Sequence, residues 1–252
     1  MIPITTITAP NPGPYTLDGT RTHILGDSVV IDPGPDVESH VVAIERAAPN
    51  LTMILVTHRH ADHAPAAATL RQRTGATIHA PAQAGLAGHE ALSDGGRIDT
   101  PHGAIVAIAT PGHTADHFCF LTVDGDLFTG DTILGEGTTT IFPPDGDMGD
   151  YLASLRRLRA LAPRRIFPGH GRVREDAIEW IDFYIRHRMD REEQIVAALS
   201  AHPVTLSQLR LSIYPTLASP LHVAAELQLE AHLKKLAREG VASVVDETWK
   251  RS

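Results

Sequence analysis

The chain has 252 residues, 42% hydrophobic and 21% charged, an ordinary globular balance long enough for one large domain with a small appendage. Its single cysteine, Cys119, excludes an intrachain disulfide and leaves little scope for thiolate metal ligation. No run approaches about 18 consecutive apolar residues, so no membrane span is expected, and the formal charge of −8 argues against a chain whose main task is gripping nucleic acid.

The opening Met1-Ile2-Pro3-Ile4-Thr5-Thr6 lacks the charged and apolar segments of a signal peptide, so a cytoplasmic protein is expected. Residues 23–32 read as two short strands about a Gly26-Asp27 turn. Pro33-Gly34-Pro35 breaks the chain, and residues 36–48 read as a helix with Val41, Val42, Ile44 and Ala48 on one side. Thr52-Met53-Ile54-Leu55-Val56 reads as a buried strand, and residues 64–74 as a helix with Pro65 in its first turn. Strands follow near 77–80, 104–109, 117–123 and 126–129. Residues 147–161 form an amphipathic helix in which Leu152, Leu155, Leu158 and Leu161 recur every three. A short strand, Arg165-Ile166-Phe167, precedes Pro168-Gly169-His170. Beyond about residue 175 the texture turns helical: 176–200, 205–212, then a helix capped by Ser219, with Pro220 at its first position and Gly240 past its end. A strand over 241–245 follows. Three helices and a strand resemble a winged-helix module, so residues 1–175 and 176–252 are expected to be separate domains.

The strand at 52–56 leads into His58-Arg59-His60-Ala61-Asp62-His63. Imidazole and carboxylate are ligands of borderline divalent metals such as zinc. Crowding four of them has little structural justification, because each polar head must be satisfied or solvated. The alternative, a solvated histidine-rich loop, is disfavoured by the position, since ligands at a strand's carboxyl end are held rigidly and open onto a cleft. Three later motifs repeat the pattern of strand, turn with glycine, then ligand. They are Thr110-Pro111-Gly112-His113-Thr114, Thr129-Gly130-Asp131-Thr132 and Phe167-Pro168-Gly169-His170-Gly171. Each alone is a weak signal, and the recurrence is what gives them weight.

The set His58-x-His60-x-Asp62-His63, His113, Asp131 and His170 resembles the metallo-β-lactamase superfamily of metal-dependent hydrolases, over roughly residues 7–175. The resemblance implies an α+β fold: a four-layer αββα sandwich with the site at one edge. It implies that His58, His60 and His113 bind one metal, that Asp62, His63 and His170 bind a second, and that Asp131 bridges them. The implied metals are two Zn2+ ions, with Mn2+ or Fe2+ as alternatives. Further stretches, Asn11–Thr20, Gly130–Thr139 and Ala231–Leu236, resemble the β-lactamase-like protein 2 subfamily. That subfamily carries a C-terminal winged-helix-like domain, and its characterised members include an endoribonuclease acting on single-stranded RNA. Two departures bear on the pocket rim. Arg21-Thr22-His23 stands where an Asn-Thr-Tyr type of sequence is usual, and Ala64-Pro65 follows the cluster where a glycine two places on is common.

Two metals about 3.5–4 Å apart can share a bridging hydroxide that attacks a carbonyl carbon or a phosphorus. No protein nucleophile is then required, and no G-x-S-x-G elbow is present. Asp62 is expected to orient the water or accept its proton. Asp32 is expected to support a neighbour by hydrogen bonding rather than to bind metal. His117 is read either as a substrate contact or as such a support, and Cys119 as an inert core thiol.

Between Tyr151 and Arg174 stand seven arginines and no acid, beside His170. An anionic substrate, including an RNA backbone, suits this stretch, with Arg172 and Arg174 as candidate contacts. The alternative is a solvated helix face, because Arg156, Arg157 and Arg159 fall on the polar side of the leucine stripe. Residues 176–252 hold 9 Lys and Arg against 11 Asp and Glu, unlike a DNA-gripping winged helix. The tail is therefore expected to be a lid, a channel wall or a homodimer contact. A non-enzymatic regulator would leave the seven ligands without purpose. Competing substrates are RNA phosphodiesters, glutathione-type thioesters (a glyoxalase II-like activity), lactones and β-lactams, the last supported by nothing beyond the shared metal site.

Overall fold

Short apolar runs cut by Gly and Pro become strands in the structure, a computed structural model that describes residues 2–252. The first sheet holds β1 (Ile4–Thr8), β2 (Arg21–Leu25), β3 (Val29–Ile31), β4 (Met53–Leu55), β5 (Thr77–Ala80) and β6 (Glu90–Ala91), in that order. β1, β2 and β3 pair antiparallel; β3 to β6 pair parallel. Parallel neighbours need a crossover. It is supplied by α1 (Glu38–Ala47) between β3 and β4 and by α2 (Ala66–Thr74) between β4 and β5. The second sheet holds β7 (Arg97–Thr100), β8 (Gly103–Ala109), β9 (Phe118–Thr122), β10 (Asp126–Gly130) and β11 (Arg165–Pro168), in the order β11-β10-β9-β8-β7. Only the β10–β11 pair is parallel, and α3 (Met148–Ala160) lies in its crossover.

Side-chain alternation separates two cores. Leu25, Val29, Ile31 and Leu55 of the first sheet pack with Ile105, Ala107, Phe120, Phe128 and Phe167 of the second. Their neighbours Ile24, Val30, Ile54 and Ile78 face the other way, onto Val41 and Ile44 of α1 and Ala66, Ala67 and Leu70 of α2. A strand as short as β4 is thus buried on both faces, which is why it reads as a continuous apolar run. α3 buries Tyr151, Leu152, Leu155 and Leu158, but Leu161 lies past its end and is 41% exposed.

The remaining elements are α4 (Ala177–Ala198), α5 (Leu206–Ile213), α6 (His222–Arg238), β12 (Ala242–Val245) and β13 (Thr248–Arg251). Ile195, Leu199, Leu209, Leu229, Leu233, Leu236 and Trp249 form a separate core. Thr205 and Gln208 make a complete capping box at the start of α5. The third tail helix begins later than the sequence suggests. Ser219–Leu221 is a single 3-10 turn whose N-cap position is Ala218, and α6 follows it.

Four strands lie outside the pattern that the sequence shows. β1, β6 and β7 are edge or near-edge strands with mostly exposed side chains, so pairing rather than patterning defines them. β13 is hidden by its turn: Asp246 and Glu247 have φ of 47° and 61°, a conformation usually signalled by Asn-Gly.

The chain divides into two compact units. One comprises Met1–Thr110, Asp116–Thr139 and Leu158–Ile181 and contains both large sheets. The other comprises Pro111–Ala115, Thr140–Arg157 and Asp182–Ser252. Residues 111–115 and 140–157, which precede residue 175, therefore group with the tail. Among the described residues no helix is long and apolar enough to cross a membrane.

Candidate metal centre

Each candidate ligand follows the carboxyl end of a strand. β4 runs through Val56-Thr57 into His58, His60, Asp62 and His63; β8 runs through Thr110 towards His113; β10 stops at Gly130 before Asp131; β11 stops at Pro168 before His170. Two groups of donors result. One ligand atom from each of His58, His60, His113 and Asp131 lies within 4.8 Å of the others, and the same holds for Asp62, His63, Asp131 and His170. Asp131 is common to both. His58, His63 and His170 are fully buried, while Asp62 is half-buried at the rim.

The imidazoles are oriented from behind. His63 Nδ1 donates to Asp32 Oδ2 at 2.9 Å, His113 Nδ1 to Thr140 O at 2.8 Å, and His170 Nδ1 faces Gly19 O at 3.4 Å. With Nδ1 spent on an oxygen, Nε2 faces inwards. His63 Nε2 then stands 3.3 Å from His170 Nε2 and 3.3 Å from Asp131 Oδ1, and His170 Nε2 stands 3.1 Å from Asp62 Oδ2. His58 Nε2 similarly faces His60 Nδ1 at 2.9 Å.

Converging nitrogens and carboxylates call for positive charge between them. Burial opposes charging His63, yet Asp131, Asp32 and Asp62 outweigh it and hold the imidazole well above its usual range. Burial likewise opposes a charge on His170, but Asp131 and Asp62 raise it to about 9. Burial would raise Asp131, and His63 with His170 instead hold it well below the carboxylate range; Asp62 is held low in the same way. A divalent ion supplies the charge that protons otherwise supply, and the all-nitrogen-and-oxygen donor set fits zinc, manganese or iron.

Asp32 has a φ of 50° and is buried. Its carboxylate accepts from Thr57 N and Thr57 Oγ1, each at 2.8 Å, as well as from His63. It thereby ties β3 to the histidine cluster without facing the donor groups. His117 lies beneath His58, ring centroids 4.8 Å apart. Its Nε2 accepts from Asp131 N at 3.2 Å, and its Nδ1 meets Thr110 Oγ1 at 3.0 Å and Thr132 Oγ1 at 3.1 Å. Both nitrogens are engaged and the ring is buried, so His117 supports Asp131 and His58 rather than facing solvent.

Several supports escape a reading of the sequence. Arg59 pairs with the buried Asp116 at 2.9 Å, linking the histidine cluster to the segment before His117. A Cβ on Gly130 (φ 44°) would stand 2.8 Å from His117 Nε2, and one on Gly169 would stand 2.6 Å from His63 Cε1 and 2.8 Å from Asp131 Oδ1. The strand–glycine–ligand recurrence points at both positions without showing why glycine is needed.

The arginine stretch is largely occupied. Arg164 and Arg165 close on Asp126, with Arg165 making bonds of 2.8 and 2.7 Å. Arg174 is buried, pairs with Asp176 and lies 3.7 Å above the Trp180 ring. Arg172 is exposed.

Comparisons with known proteins place the chain in a family. The family model described as metallo-beta-lactamase superfamily matches residues 25–170, and that described as beta-lactamase associated winged helix domain matches residues 205–249. The chain is 34% identical to a beta-lactamase-like protein 2 homolog of Caenorhabditis elegans, over 94% of this chain and 85% of that one. It is 33% identical to thioesterase pkgB of Emericella nidulans, over 78% of this chain and 59% of that one. A crystal structure of a metallo-beta-lactamase family protein from Thermus thermophilus superposes with a TM-score of 0.82 at 19% identity, over 99% of this chain and 98% of that one.

Proposed function

The chain belongs to the metallo-beta-lactamase superfamily, a family of hydrolases, and on that premise we propose that it hydrolyses its substrate with two divalent metals, held by His58, His60 and His113 and by Asp62, His63 and His170, with Asp131 common to both. The observation that carries the reading is the pair of four-donor groups sharing Asp131, with the His63 and His113 rings each fixed from behind by an oxygen. Metals bound there would polarise the bond to be broken and lower the pKa of nearby water.

The chain's own residues do the positioning. Asp62 is held ionised at the rim beside His63 and His170, so it remains an acceptor that can orient the attacking water. Asp131 keeps its charge for the same electrostatic reason and spans both groups. Asp32 fixes the His63 ring, and His117 holds the main chain of Asp131 against the ring of His58.

For the substrate we propose a phosphodiester of single-stranded RNA. The support is the resemblance to the β-lactamase-like protein 2 subfamily, whose characterised members include an endoribonuclease acting on single-stranded RNA, together with a likeness to its homologs over 94% of this chain. A second reading, a thioester, is favoured by the likeness to thioesterase pkgB and by the ion pairs that occupy Arg164, Arg165 and Arg174. Assay of metal-loaded protein on single-stranded RNA, a thioester and a lactone separates the two, with His63→Ala as control. RNA cleavage that His63→Ala abolishes supports the first reading; thioester turnover without RNA cleavage overturns it. Full activity in metal-stripped protein would overturn the metal mechanism itself.

A further inference from the structure

Resting on the reading of His113 as a metal ligand, we infer that α6, through Arg238 and Gln228, is a positioning element for His113. The segment Pro111–Ala115 is fastened to residues 140–154 at several points. Asp147 N donates to Gly112 O at 2.9 Å, Ser154 Oγ donates to Pro111 O at 2.8 Å, and His113 Nδ1 donates to Thr140 O at 2.8 Å. Gly112 (φ 138°) lies so close to Tyr151 that a Cβ would stand 2.5 Å from its main-chain nitrogen. His113 therefore takes its place from the frame 140–154.

That frame is gripped by α6 at two places. Arg238 makes a bidentate pair with Asp147, 2.6 Å from Nη1 to Oδ2 and 2.8 Å from Nη2 to Oδ1. Gln228 Oε1 accepts from Ile141 N at 3.1 Å. These are the two relevant points: Asp147 holds the residue before His113, and Ile141 follows the residue whose carbonyl receives the His113 proton. Asp147 Oδ1 also caps α3, accepting from Gly149 N at 2.8 Å and Asp150 N at 3.0 Å. One carboxylate thus joins α3 and α6 while its own main chain holds the loop of His113. Arg238 is 56% exposed, so the pair contributes little to global stability, and its consequence is placement.

The test is titration of full-length, metal-free protein with Co2+, read by visible absorption and calorimetry. Wild type is expected to take up two equivalents, of which His113→Ala identifies one by its loss. In Arg238→Ala and Gln228→Ala that equivalent is expected to weaken about 10-fold, the low end for contacts behind a ligand, with a shifted absorption band, while the other stays unchanged. Arg238→Lys should restore part of the affinity. Lys234→Ala, which removes an α6 ion pair to Glu230, should leave both equivalents as in wild type. Unchanged uptake in both variants, equal weakening of both equivalents, or an equal effect of Lys234→Ala overturns the inference. Fewer than two equivalents in wild type overturns the dinuclear reading instead.

Discussion

Asp32 shows how a single residue sets the orientation of a candidate ligand, His63. Its carboxylate serves Thr57 and His63 together from a left-handed backbone conformation that Asn also tolerates. Asp32→Asn is therefore expected to fold but to lose one acceptor, lowering metal affinity by about 10–100-fold; calorimetric titration with Zn2+ checks this, and wild-type affinity would refute it. Gly169→Ala should be worse for the site than for the fold, because the new methyl points at His63 and Asp131. A variant that keeps the melting temperature of the metal-free wild type but binds less metal is the expected result, and unaltered metal content would contradict it. His23 carries a pH prediction. Burial pushes this imidazole down from 6.5 to about 4, against a hydrogen bond to Pro168 O that favours its charge. The unfolded chain thus binds a proton below pH 6.5 that the folded protein refuses until about pH 4. Stability is complete above 6.5 and falls by about 3 kcal/mol across that window. His23→Tyr, the residue type usual in the resembling family, should flatten the fall; denaturant midpoints at pH 7 and pH 5 that fall equally in both proteins would refute the assignment.

Among elements, the informative contrast is between strands that bury two faces and strands that bury almost none. β4 and β10 are legible in the sequence because both faces are apolar, and because a Gly or a ligand cluster marks where each ends. β6 and β7 are not, since an edge strand with exposed side chains is defined by its partner. The arginine stretch shows a different limit. Its composition suggests a substrate surface, yet Arg164 and Arg165 bind the buried Asp126 and join the β10–β11 pair at its start. Asp126→Ala should cost about 1–3 kcal/mol, less than a fully buried pair would, because both guanidiniums keep some access to water. The expected loss in chemical denaturation is independent of metal; no change in midpoint would show the pair to be idle.

At the scale of the whole molecule, a metal held by the two donor groups would bind only the folded arrangement, because the donors come from residues as far apart as His58 and His170. Removing metal with a chelator should therefore abolish hydrolysis and lower the melting temperature, with divalent metal at 100 times its Kd restoring about 2.7 kcal/mol per site. A melting temperature indifferent to chelator and metal would count against both groups. By itself the sequence determined the chemical identity of the candidate site, since imidazoles and carboxylates at strand ends behind glycine form a local pattern that needs no coordinates. It also determined the helical tail through apolar periodicity, but not where its third helix begins, since the Ser219 cap signal falls on a 3-10 turn. Only the tertiary structure decided that His117 lies under His58, that Arg174 is taken by Asp176 and Trp180, and that the loop of His113 groups with the tail. The physical reason is range. Propensity, capping and periodicity act within a few residues, whereas these partners meet across tens to more than a hundred positions, and only packing chooses among them.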